Sequence, residues 1–116
     1  MRVQVETLDL TTVVVPEGRL DFGAAAAFQR QVEQALAAGV AAGLIIDCAA
    51  LEYVSSAGLR VFLLAARAAR FAGVSFGLCA LQPAVREVFA LSGFDRIITV
   101  HTDRHTALAQ TRQEPT

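Results

Sequence analysis

The stretch Asp47-Cys48-Ala49-Ala50-Leu51-Glu52-Tyr53-Val54-Ser55-Ser56-Ala57-Gly58-Leu59-Arg60 decides how this chain reads. It follows Gly43-Leu44-Ile45-Ile46, a short continuous apolar run of the kind a central strand shows when both its faces are covered. Asp47 ends that run, and a carboxylate at a strand end points out of the sheet. Cys48 to Val54 reads as a loop, after which Ala and Leu dominate up to Gly73, with Arg60, Arg67 and Arg70 interspersed. That is a helix, capped by Ser55 or Ser56 and ended by Gly73. Two adjacent hydroxyls thus stand where a strand and loop become a helix. The first turn there offers unpaired backbone N–H groups and the positive end of the helix dipole, so a serine either caps the helix or carries a phosphate well. Taken alone, the segment reads as a plain N-cap.

Upstream, Val3, Val5 and Leu8, then Val13 to Val15, predict an N-terminal strand pair, with Pro16 and Gly18 stopping the second strand. Beyond Gly18-Arg19-Leu20-Asp21, the apolar positions Phe28, Val32, Ala35 and Leu36 recur at helical spacing, with Asp21 as candidate N-cap and Gly39 as the stop. Downstream, Val74 to Leu81 reads as a strand. Gln82-Pro83 opens a helix that turns Val85, Val88 and Phe89 inward and closes at Ser92-Gly93. Ile97 to Val100 reads as a last strand, and Asp103 caps a short helix containing Ala107 and Leu108. The order β-β-α-β-α-β-α-β-α predicts an α/β fold, a mixed sheet of about five strands with about four helices packed on it. The 116 residues make one domain, residues 1–110, followed by a polar tail, 111–116, expected to fray.

Composition narrows the function. All ten basic residues are Arg, scattered among eleven acids, and no run would neutralise several adjacent phosphates, so nucleic acid is not an expected partner. The longest apolar stretches fall far short of the roughly 20 residues a bilayer span needs, and MRVQVETLDL alternates where a signal peptide would not. The expectation is a soluble, cytoplasmic protein without membrane insertion. Cys48 and Cys79 lie in apolar surroundings without a CxxC partner and read as buried structural thiols. His101 and His105 have the i, i+4 spacing of helical metal ligands, but His101 reads as a strand end and no third ligand is evident, so no metal is expected. Val54-Ser55-Ser56-Ala57-Gly58 is not Gly-x-Ser-x-Gly, no base is placed to activate either hydroxyl, and the chain has no Lys for a phosphate loop. No enzymatic activity and no cofactor are expected.

The segment from Asp47 to Leu59 resembles the signature of the STAS domain, the fold of bacterial anti-sigma factor antagonists, in which an apolar strand ends in Asp and a loop leads to Asp-Ser-Ser/Thr-Gly-Leu at a helix start. The resemblance spans nearly the whole chain. Gly18-Arg19-Leu20-Asp21 looks like the family's Gly-x-Leu-Asp before its first helix, and Leu81-Gln-Pro-Ala-Val-Arg-Glu-Val-Phe-Ala-Leu-Ser-Gly-Phe resembles its third helix and exit. Placing Gly58-Leu59 on the family's Gly-Leu puts Ser56 on the phosphorylated serine, Ala57 on the variable Ser/Thr and Ser55 on the usual Asp, a departure that leaves Ser55 as the alternative acceptor.

The resemblance implies partner switching. The unphosphorylated domain binds a serine-kinase anti-sigma factor, phosphorylation at Ser56 releases it, and a serine phosphatase resets it. Asp21, Asp47, Ser55, Ala57, Gly58, Leu59 and Arg60 would form the acceptor loop and partner surface, the sheet order bringing Asp21 and Asp47 close to Ser56. Both carboxylates read equally well as local structure, Asp21 capping its helix and Asp47 satisfying loop N–H groups. Arg60, Arg67 and Arg70 lie within about 80° of one another on their helix and form either a solvated edge or a partner contact. The rival within the family is a small accessory subunit of a lipid-transport ATPase complex, using the same surface without phosphate turnover. An isolated domain of this kind is expected to be monomeric.

Overall fold

Period-two alternation along the apolar runs sends neighbouring side chains to opposite faces of a sheet, and both faces are covered. A computed structural model describes residues 1–38 and 42–113. The strands are β1 (Arg2–Leu8), β2 (Thr11–Leu20), β3 (Gly43–Asp47), β4 (Leu51–Val54), β5 (Ser75–Cys79) and β6 (Val100–His101). The helices are α1 (Phe22–Ala37), α2 (Ser56–Phe71), α3 (Pro83–Ser92) and α4 (Arg104–Gln113). The sheet order is β1-β2-β3-β5-β6, with β1 antiparallel to β2 and the other pairs parallel. β4 pairs in parallel with the far half of β2.

Val14, Leu44, Ile46 and Leu78 face α1, α2 and α3, which bring Phe28, Val32, Phe62, Val85 and Phe89 to one core. Edge-to-face contacts link Phe28 to Phe62 at 5.8 Å and Phe62 to Phe89 at 5.4 Å. Each of these fully buried rings contributes roughly 2–3 kcal/mol over an exposed position. The opposite parity, Val13, Ile45 and Cys79, meets Ala107 and Leu108 of α4 on the second face. Burial of Leu59, Val61 and Phe62 fixes α2 on the sheet.

The α/β architecture agrees with the sequence, and four details correct it. β2 runs through Pro16 and Gly18 to Leu20, because Pro16 falls between the last β3 rung, Val14–Ile46, and the first β4 rung, Gly18–Leu51. Its missing N–H therefore costs no ladder bond on that side. The stretch Cys48 to Val54, expected as a loop, contains β4, which makes the sheet six-stranded rather than about five. The last strand shrinks to two residues, since Ile97 and Ile98 both donate to the Phe94 carbonyl and close a 3₁₀ turn at Phe94–Arg96. α4 runs to Gln113 and buries Thr111, so the packed domain extends past residue 110. The predicted stop at Gly39 and the fraying of residues 114–116 lie outside the described residues.

Candidate functional site at the head of α2

β4 delivers the chain to the end of β2, and α2 starts there. The Leu20 carbonyl accepts two hydrogen bonds from Ser55, one from its N–H at 2.9 Å and one from its Oγ at 3.0 Å. Ser55 Oγ in turn accepts the Gly58 N–H at 3.1 Å, which makes Ser55 the N-cap of α2. Both functions of that hydroxyl are thus occupied by the fold. Ser56, the first residue of the helix, is exposed, and no hydrogen bond engages its side chain among the described residues.

Gly58 explains why the serines can stand so close to the sheet. A Cβ there would lie 2.7 Å from Leu20 Cγ and 2.9 Å from Val54 Cγ2, so only a residue without one lets the helix start abut β2 and β4. Leu59 anchors the turn in the core, Ala57 is half-buried and Arg60 points to solvent. In the first turn, Leu59 N–H already bonds the Ser55 carbonyl and Gly58 N–H bonds Ser55 Oγ. The Ser56 and Ala57 N–H groups remain for an anion. The first turn of α2 holds no acid, and its N-cap is the neutral Ser55.

The two candidate carboxylates separate. Asp21 is the N-cap of α1, its Oδ1 accepting the Ala24 N–H at 2.9 Å, and it directly follows Leu20, whose carbonyl holds Ser55. Asp47 lies elsewhere. β3 ends opposite the middle of β2, about 15 Å along that strand from Leu20. Asp47 is buried there, with Oδ1 accepting the Ala49 N–H at 3.1 Å and Oδ2 accepting from Arg104 Nε at 2.8 Å. Arg104 also donates to Glu6 at 2.6 Å, so one guanidinium ties α4 to β3 and β1. The hydrogen bond to Asp47, foremost, raises the Arg104 pKa further above its ordinary high value. The expected loop N–H contact of Asp47 exists, but the expected approach to Ser56 is replaced by this clamp.

The sequence reading missed the aromatic groups at this end. Phe22, at the first position of α1, is 83% exposed. Tyr53, on the strand leading to Ser55, is exposed under the Arg19 guanidinium, 4.2 Å from its ring centroid. A Phe off the helical apolar stripe, directly after the N-cap, was the available signal. Arg60, Arg67 and Arg70 are all exposed and carry no ion pair or side-chain hydrogen bond among the described residues. Cys48 and Cys79 are free, buried thiols; burial pushes Cys79 up to about 12 and Cys48 well above its usual range. His101 lies in β6 and His105 in α4, so they do not share a helix face.

No helix among the described residues is long and apolar enough to cross a membrane. The STAS domain family model matches residues 2–107. The chain is 38% identical over 112 residues to BtrV of Bordetella bronchiseptica, named as an anti-sigma factor antagonist, covering 94% of this chain and 93% of that one. An anti-sigma factor antagonist from Mycobacterium paratuberculosis has the same fold, with a TM-score of 0.83, 27% identity, and 97% and 94% of the two chains covered. SpoIIAA in its unphosphorylated form superposes with a TM-score of 0.81 at 22% identity, covering 99% of this chain and 100% of that one. The phosphorylated form of SpoIIAA, from Bacillus, superposes with a TM-score of 0.71 at 22% identity, covering 94% of this chain and 98% of that one. The signature read at the head of α2 and these whole-length matches agree: the chain belongs to the STAS domain family, alongside anti-sigma factor antagonists.

Proposed function

We propose that this protein is an anti-sigma factor antagonist that works by partner switching. Unphosphorylated, it binds a serine-kinase anti-sigma factor and so frees that factor's client; phosphorylation of Ser56 ends the complex, and a serine phosphatase restores the binding form. The domain acts as binding module and kinase substrate, without chemistry of its own. The observation that carries this reading is the division of labour between the paired serines. Ser55 Oγ is held between the Leu20 carbonyl and the Gly58 N–H, whereas Ser56 is exposed and unengaged. Kinship with BtrV supports the partner class. SpoIIAA, of the same fold, is known in unphosphorylated and phosphorylated forms.

The physics of release follows from where the phosphate would sit. In the free domain a phosphate on Ser56 lies at the positive end of α2, near two N–H groups without intrahelical partners, and the fold tolerates it. Inside an interface the same dianion must lose water. Without an arginine opposite, that costs several kcal/mol, enough to weaken binding by a hundredfold or more. The exposed Phe22, the Arg19–Tyr53 stack and Asp21 share this end and supply the apolar and charged contacts a partner needs. Mass-spectrometric phosphosite mapping of protein recovered from its own cells tests the assignment. The expected result is a single phosphate retained in Ser55→Ala and lost in Ser56→Ala; a phosphate that persists in Ser56→Ala refutes it.

A further inference from the structure

The arginine edge of α2 leads away from Ser56 to a feature that the switch does not use. Arg60 lies one turn from Ser56, and Arg67 and Arg70 continue the edge to the far end of the helix. There a groove of about 210 Å³ opens between α2, β5 and the segment after the 3₁₀ turn, floored by Ala66, Val74, Phe76 and Ile98 and rimmed by Arg70 and Ile97. Ile97 is 64% exposed, and Phe71, next to Arg70, is 96% exposed. An exposed Ile97 at the rim of an open groove with an apolar floor is the kind of feature that marks an interaction surface. Arg67 and Arg70 have no carboxylate partner among the described residues, and Arg96, adjacent to Ile97, is likewise exposed without one.

We infer that this end of the molecule is a second docking surface, for an acidic segment of a protein partner that seats one large apolar side chain in the groove. The charge points to the occupant: Arg70 lines the groove without a carboxylate partner among the described residues, Arg67 precedes it by one turn on α2, and Arg96 adjoins the rim residue Ile97 in the chain. A nucleic acid would need a longer cationic track, and its phosphates would gain nothing from Phe76 and Ile98. The apolar floor rewards an aliphatic or aromatic side chain, and the arginines reward carboxylates flanking it.

The surface is insulated from the switch. Ser56 and Arg70 are 14 residues apart on one helix, about 21 Å at 1.5 Å per residue, more than two screening lengths at physiological ionic strength. A phosphate on Ser56 therefore does not repel an acidic segment held at the groove. A partner bound there keeps hold of the protein through both phosphorylation states. The site stands without the proposed switch; only this insulation leans on it.

The test is a titration of the isotope-labelled full chain, followed by amide chemical shifts, with two synthetic peptides of equal negative charge. One carries a central Phe and the other Ser in its place. The expected result is saturable shifts at Ala66, Arg70, Phe76 and Ile98 with the Phe peptide only. The Arg67→Glu/Arg70→Glu double variant should weaken binding at least tenfold while its melting temperature falls by no more than about 4 °C, since both side chains are exposed and only the favourable place of Arg70 in the last turn of α2 is lost. Ser56→Asp should leave the affinity within twofold. Equal response to both peptides, no saturation into the millimolar range, or shifts centred on Ser56 overturn the inference. Shifts of the same groove residues on simple dilution, without peptide, overturn it by giving the groove to a second copy of the chain.

Discussion

Replacing each serine in turn separates the structural hydroxyl from the chemical one. Ser55→Ala removes the cap on Gly58 N–H and the Oγ bond to the Leu20 carbonyl, while the Ser55 N–H bond to that carbonyl survives. Loss of a serine cap costs about 1 kcal/mol, and loss of the second, half-buried bond adds up to about 1 kcal/mol more. Unfolding entropy of about 2.1 cal/mol/K per residue gives a chain of this length about 0.24 kcal/mol/K, so the melting temperature should fall by about 4–8 °C. Ser56→Ala removes an exposed hydroxyl with no partner among the described residues and should shift it by less than about 2 °C. Thermal melts followed by circular dichroism, with urea titration for the free energies, read both. A Ser56→Ala variant as destabilised as Ser55→Ala refutes the argument, as does a Ser55→Ala variant as stable as the parent.

Gly58→Ala should lose about 1–2 kcal/mol in urea melts, because overpacking against Leu20 and Val54 outweighs the better helix propensity of Ala; a stabilised variant contradicts the close approach. Arg104→Met strips the buried Asp47 of its charge partner and should cost about 2 kcal/mol, below the fully buried figure because Arg104 is partly solvated. Adding Asp47→Asn should restore part of that loss, and strictly additive losses would rule out the clamp. Burial raises both cysteine thiols in the folded state, so their contribution is intact below the unfolded value of about 8.5 and is lost as pH climbs toward the folded values, about 12 for Cys79 and well above the usual range for Cys48. Urea stability should fall above about pH 9, by up to about 1.4 kcal/mol per pH unit for each thiol, and Cys48→Ala/Cys79→Ala should flatten the slope. An unchanged slope contradicts it.

Much of the fold is legible because it rests on local signals. The apolar run of β3, the Asp21 cap, Pro83 at the head of α3 and Gly93 in the left-handed conformation at its end each carry their own punctuation. β4 escaped notice because a four-residue strand with Glu52 and Tyr53 exposed has almost no pattern, and only the neighbouring β2 makes it a strand. The serine pair was visible as a motif, but its division of labour depends on the Leu20 carbonyl, 35 residues away. Asp47 shows the same limit, since its partner Arg104 lies 57 residues downstream. Local sequence can place a carboxylate at a strand end, but only the tertiary fold decides which cation meets it.

The central claim is that a negative charge at Ser56 decides partner binding. The direct measurement is the affinity of the serine kinase recovered with Ser56→Ala protein for the unmodified chain, for Ser56→Ala, and for the chain phosphorylated at Ser56, by isothermal titration. The account predicts near-equal binding of the first two and at least hundredfold weaker binding of the phosphorylated form. Equal affinity for all three contradicts it.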